Sequence, residues 1–221
     1  DDDTSGRNDK LSMWVIGGYT QQLGFKYQLA YVDRKMEKGF NVGMSYGKNR
    51  ELNFATDSNK QQFHTLPNFG REFLRAEATF SYRRGSQMRF YLRSIFGYER
   101  IDSAFFKLNP RYINGRTQAT FVDITANYQY LNVDFIPFPM RGWYVDFNVS
   151  NRFSASIPML QIGGRMMATW QFLPKTYINF QGAFSASFQK KQAFFNSRLM
   201  GFGSLWMQGL EYFVMDGTMG A

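Results

Sequence analysis

LQIGGRMMATWQFLPKTYINFQGAFSASFQ, residues 160–189, decides the architecture of this chain. Before its internal turn, Leu160, Ile162, Met166, Ala168, Trp170 and Phe172 fall on one face, and Gln161, Arg165, Thr169 and Gln171 on the other. After Leu173-Pro174-Lys175-Thr176 the alternation restarts, with Ile178, Phe180, Phe184, Ala186 and Phe188 opposing Asn179, Gln181, Ser185, Ser187 and Gln189. A period of two means β-strands, because successive Cβ atoms point to opposite faces. Two such strands, aromatic on one side and hydroxyl- or amide-bearing on the other, fit a sheet between lipid and a wet lumen. A membrane strand needs about 9–11 residues of this alternation. The fold class expected is an antiparallel up-and-down transmembrane β-barrel segment.

The same pattern runs outward through the chain. Met13, Val15 and Gly17 begin a weak first strand, followed by Phe25, Tyr27, Leu29 and Tyr31, then Phe40, Val42, Met44 and Tyr46. Leu74, Ala76, Ala78, Phe80 and Tyr82 oppose Arg75, Glu77, Thr79, Ser81 and Arg83. Met88, Phe90, Leu92, Phe96 and Tyr98 come next, then Val122, Ile124, Ala126, Tyr128 and Tyr130, then Trp143, Val145, Phe147 and Val149. That makes roughly nine strands. Connections are tight at 34–38, 85–86, 137–141 and 173–176, and long at 50–70, 101–116 and 190–221, with a short one at 154–157 on the long side. Short turns at one rim and long loops at the other describe an outer-membrane barrel.

Composition agrees. Aromatics make up 19% of 221 residues, with Phe 24, Tyr 13 and Trp 4, yet the mean hydropathy is −0.40. A membrane barrel has this balance, since only every second residue meets lipid and Tyr and Trp girdle the interfaces. A soluble up-and-down barrel of lipocalin type would have to turn the apolar face inward, where an eight-stranded barrel has no room for so many rings. No run approaches the roughly 18 apolar residues of a spanning helix, so a helical membrane bundle is excluded.

Lys+Arg 26 against Asp+Glu 17 gives a net charge of +9. The basic residues do not gather into a nucleic-acid patch. Arg75, Arg83, Arg89, Arg93 and Arg165 sit on the polar faces of strands, where a lumen or anionic head groups would meet them. Glu77, Glu99, Asp123 and Asp146 lie on polar faces beside arginines, and lumenal ion pairs account for them better than acid–base chemistry. Cysteine is absent, which excludes disulfides and thiolate sites. The one histidine, His64, reads as an exposed loop residue, so no Ser-His-Asp or His-rich metal constellation can be built. No catalytic residue, metal or cofactor is expected. Gly17-Gly18 and Gly163-Gly164, placed within strands, suggest bends or close backbone approach.

The segment NSRLMGFGSLWMQGLEY, residues 196–212, resembles the BamA/TamA superfamily of outer-membrane assembly and translocation proteins, also called bacterial surface antigens. The resemblance rests on Gly201, Gly203, Met207, Gln208, Gly209, Leu210 and Glu211. In the family, a glycine-rich approach and Arg-Gly-Phe or Arg-Gly-Tyr form a sixth extracellular loop that folds into the lumen and docks its arginine on the wall. Here Gln208 stands at the arginine position and Leu210 at the aromatic one. A glutamine keeps hydrogen bonds but loses the charge-assisted fork.

Strand counting is similar to the family too: if 177–189 is strand eleven, 13–19 becomes strand three, and the 31–43 region resembles the fourth-to-fifth strand turn. The resemblance implies a sixteen-stranded barrel with POTRA domains and two strands upstream and five strands downstream. An odd strand count would leave edges unpaired in lipid, which is intolerable, so the chain is expected to be an internal segment of a longer protein. Its divisions are a loop or linker at 1–10, barrel strands at 11–189 and a lumen-inserted loop at 190–221. The activity implied is non-enzymatic: inserting or translocating outer-membrane proteins by templating strands on exposed edges at a seam. Partners implied are outer-membrane lipids and lipopolysaccharide, unfolded outer-membrane proteins and assembly accessory proteins. The rival reading is a passive channel whose five lumenal arginines favour anions.

Overall fold

Extended backbone follows the alternation almost strand for strand. The structure, a computed structural model, describes residues 8–33, 35–134, 139–189, 192–201, 214–216 and 219–220. The elements up to the middle of the chain are β1 (Asp9–Ile16), β2 (Thr20–Leu29), β3 (Lys38–Asn49), β4 (Glu51–Asp57), β5 (Lys60–Thr65), β6 (Arg71–Arg84), β7 (Met88–Ile101) and α1 (Ser103–Leu108). Then come β8 (Gln118–Val133), β9 (Gly142–Phe153), β10 (Met159–Leu173), β11 (Thr176–Ser187), α2 (Phe194–Ser197), β12 (Arg198–Gly201), β13 (Val214–Asp216) and β14 (Met219–Gly220). Among the described residues no helix is long and apolar enough to cross a membrane.

The main sheet runs β1-β2-β3-β6-β7-β8-β9-β10-β11, with two residues of β14 added beyond β11. Every pairing is antiparallel. Register makes the two faces continuous across strands. One row reads Leu29, Phe40, Phe80, Leu92, Ala126, Val149, Ile162 and Ala186; the adjacent row on the other face reads Asn41, Thr79, Arg93, Thr125, Ser150, Gln161 and Ser187. A slip of one residue in any ladder would drive that strand's apolar set to the wrong face.

Among the described residues nothing covers the apolar face: Phe80 is 40% exposed, Met166 48% and Phe180 54%. Aromatic rings bound it at both ends. Tyr46 and Tyr98 lie at the long-loop rim, and Tyr82, Tyr130, Trp143 and Trp170 at the short-turn rim, where Tyr130 and Trp143 stack with centroids 4.6 Å apart. On β7 the band runs from Tyr98 to Met88, which sits opposite Tyr130. Ten steps of about 3.3 Å, tilted by roughly 40°, give about 25 Å. That is the height of an apolar band in an outer-membrane barrel.

The buried core lies on the opposite side. Connections from the long-loop rim fold over the polar face and bury Leu52, Ile101, Phe105, Tyr112, Ile113, Ala119, Phe121, Ile157 and Ala193 together. The stretch 50–70, expected as a polar loop, contains the β4–β5 hairpin, turned by Ser58 and Asn59, both at positive φ. The stretch 101–116 contains α1, started by the Asp102 carboxylate accepting from the Ala104 N–H at 2.8 Å. β1 begins at Asp9, inside the expected 1–10 linker, and Gly17-Gly18 lie in the turn after it, with Gly18 at φ 114°. The 190–221 region holds α2 and short strand pairs.

Candidate functional site: the polar face and its plug

Polar-face side chains form a chain of ion pairs down the sheet. Glu77 on β6 takes Arg93 from β7 and Lys26 from β2 at 3.5 Å. Asp146 on β9 takes Arg165 from β10 at 3.6 Å and accepts hydrogen bonds from Asn127, Gln129 and Tyr144 at 2.7, 2.9 and 2.8 Å. Nearer the long-loop rim, Glu99 is fully buried and held by Arg71 and by Arg75 at 3.3 Å. A buried carboxylate with two guanidiniums is held by its partners; removing one would strand a charge.

Arg152 is the hub. Its Nε and Nη2 both reach Asp123 at 2.6 Å, the bidentate fork that guanidinium and carboxylate favour. Its Nη1 donates to Asn196 Oδ1 at 2.6 Å, and its guanidinium lies 4.0 Å from the Phe121 ring and 5.1 Å from Phe195. Asn196 in turn donates to the Ile157 carbonyl at 3.0 Å. The Phe194 and Phe195 amides donate to the carbonyls of Arg111 and Tyr112 at 3.1 and 3.2 Å. The segment after β11 is therefore seated on the sheet wall by β9 and by the loops that carry Arg111, Tyr112 and Ile157.

Three aromatics on this face lie over glycines directly across the ladder: Trp14 over Gly24, Phe73 over Gly47 and Phe121 over Gly97. A Cβ at any of these glycines would collide with the ring. Ring and glycine fit as one unit and pin the register. On the apolar face Phe184 covers Gly164 in the same way, which is the close approach the Gly163-Gly164 pair suggested.

Arg75, Arg93 and Arg165 are among these ion-paired groups. Arg83 and Arg89 share their face but stand opposite each other near the short-turn rim, with no carboxylate partner among the described residues; Arg83 lies over the Tyr31 ring at 5.8 Å. Gly201 ends β12. Gly203, Met207, Gln208, Gly209, Leu210 and Glu211 lie outside the described residues. His64 is exposed but sits on β5, edge-on to Phe54 and Phe105.

The fold has a counterpart among solved structures. The crystal structure of BamA from Haemophilus ducreyi lacking POTRA domains 1–3 superposes with a TM-score of 0.66 over 90% of this chain and 39% of that one, at 13% identity. No protein-family model matches the sequence, and no curated protein matches it. The likeness is one of fold: an antiparallel up-and-down sheet similar to part of the BamA barrel. This chain spans about two fifths of that protein.

Sequence reading missed Arg152, Phe121, Phe195 and Asn196 as a joint site. Arg152 lay beyond the alternation that had been followed on β9, and the ring-on-glycine pairs appear only once register is known. A signal did exist in Asp123 and Arg152, a carboxylate and an arginine on polar faces of successive strands.

Proposed function

We propose that this chain is part of an outer-membrane β-barrel of the BamA/TamA kind, acting without enzymatic chemistry to insert or translocate other outer-membrane proteins. The observation that carries the reading is the fold likeness to BamA together with an uncovered apolar band of membrane height. The band would face lipid, and the polar face with its plug would face the lumen. Lys48 and Arg100, clustered with Glu72 beside Tyr46 at the long-loop rim, would meet anionic head groups such as those of lipopolysaccharide. Unfolded outer-membrane proteins would be the clients, and accessory proteins would deliver them.

An anion-selective channel is supported less well. Arg75, Arg93 and Arg165 are compensated by carboxylates, and the mouth is packed with Phe105, Ile113 and Ile157. Reconstitution separates the two. Proteoliposomes holding the full-length protein should speed folding of an unfolded outer-membrane β-barrel client several-fold over empty vesicles of the same lipid, and should show little steady conductance in planar bilayers. Steady anion-selective conductance with no effect on client folding would decide for the channel.

A further inference from the structure

Two arginines on the polar face lack an acidic partner among the described residues, and they stand together in a recess. Arg83 on β6 and Arg89 on β7 are direct cross-strand partners. Direct partners in an antiparallel ladder have Cα atoms roughly 4.5–5.5 Å apart, and like charges so placed destabilise the sheet. Arg71, Arg75, Arg93, Arg152 and Arg165, on the same face, each have a carboxylate within 4 Å or closer. The exception is therefore local. It coincides with a cavity of about 310 Å³ beside the β2–β3 turn, lined also by Tyr31, Asn41, Ser81, Tyr91 and Glu37. Within it the Nε of Arg89 and the Oδ1 of Asn41 are buried and have no hydrogen-bond partner.

We propose that this recess binds a phosphate group, held between the Arg83 and Arg89 guanidiniums. A carboxylate has two oxygens and forms one bidentate fork in its plane, whereas a tetrahedral phosphate has oxygens enough to meet a fork from each of two guanidiniums. Inorganic phosphate also carries a P–OH at neutral pH, and that donor matches the Asn41 Oδ1 acceptor; in a phosphatidylglycerol head group the glycerol hydroxyls would take that place. The Ser81 and Tyr91 hydroxyls supply further polar contacts at the cavity wall. Glu37 lines the same cavity and forms no ion pair with either arginine among the described residues, so it opposes the anion and sets a limit on affinity. The phosphate could come from a soluble phosphate or from a lipid head group at the short-turn rim. The inference rests on the recess alone and does not depend on the assembly function.

The test is calorimetric titration of inorganic phosphate into the full-length protein in neutral detergent at low salt. Saturable binding to one site is expected, weakened about tenfold or more, some 1.4 kcal/mol, in R83Q and in R89Q, and unchanged in R93Q, whose arginine is paired to Glu77. Glu37→Gln should tighten binding, and it removes no polar-face ion pair. Repeating the titration in nanodiscs identifies the source: competition by phosphatidylglycerol over pure phosphatidylcholine marks a lipid head group, and equal binding in both marks a soluble phosphate. Absence of saturable binding, or R83Q and R89Q binding like the parent, overturns the proposal. Should both arginine variants fail to fold, an unchanged affinity in E37Q overturns it as well.

Discussion

Phe121 shows how much one residue on the polar face of a sheet can do. It is 2% exposed, covers Gly97, and stacks against Arg152 at 4.0 Å and Arg75 at 6.0 Å. Truncation to Ala should cost about 3–5 kcal/mol, as for a buried ring, measured by urea unfolding in lipid vesicles; a loss below about 1 kcal/mol would show that the plug does not lean on it. Glu99→Gln should cost about 1.5–3 kcal/mol, the loss of charge-assisted hydrogen bonds to Arg71 and Arg75, which both keep some contact with solvent. On the opposite face, Phe180→Arg should cost roughly 2–4 kcal/mol and Gln181→Arg little. The sequence showed which of these residues share a face. It could not show that Phe121 meets Gly97, because alternation assigns faces while partners depend on register.

At the scale of elements, the connections departed furthest from expectation. The alternation placed strands correctly because each strand's pattern is local, and Pro174-Lys175 or Gly85-Ser86 mark turns by their own backbone preferences. The plug depends on contacts between loops far apart in sequence, such as Asn114 donating to the Ser156 carbonyl at 2.9 Å, and no local period encodes them. The family resemblance placed a docking group in the loop after β11, at Gln208. Gln208 lies outside the described residues; upstream of it, Arg152 on the wall donates to Asn196. Arg152→Gln should therefore release residues 192–197, detectable as faster proteolytic cleavage there; an unchanged cleavage pattern would show that backbone bonds from Phe194 and Phe195 suffice.

The β2–β3 turn offers a pH-dependent readout at the same scale. The Lys38 amide, then the Glu37 amide, donate to the Asp33 carboxylate and hold its pKa below the usual carboxylate value. A lowered folded pKa means the stabilisation is complete above the unfolded value, about 3.9, and is lost as pH falls through the folded one. The protection of the Glu37 and Lys38 amides, measured as exchange relative to the intrinsic rate at each pH, should fall only below about pH 4 and should be lost at all pH in Asp33→Ala.

At the scale of the whole molecule, the two faces of one sheet define the account. Fold class was legible because period-two alternation with rings on a single face has few soluble solutions. The ion pairs of Glu77, Glu99, Asp123 and Asp146 were legible as a class, since carboxylates and arginines shared polar faces. Their partners were not, again for want of register. These 221 residues contain no cysteine, so once any cysteine elsewhere in the protein is replaced, a single one introduced here is unique. Single cysteines from Ile178 to Phe184 on β11 can be spin-labelled in the full-length protein in lipid vesicles, and their accessibility to oxygen and to a water-soluble nickel complex compared. The account predicts a period of two, with Ile178, Phe180 and Phe184 exposed to oxygen and Asn179, Gln181 and Ala183 shielded from it. Accessibilities that vary without that period, or that place Asn179 and Gln181 in lipid, would contradict it.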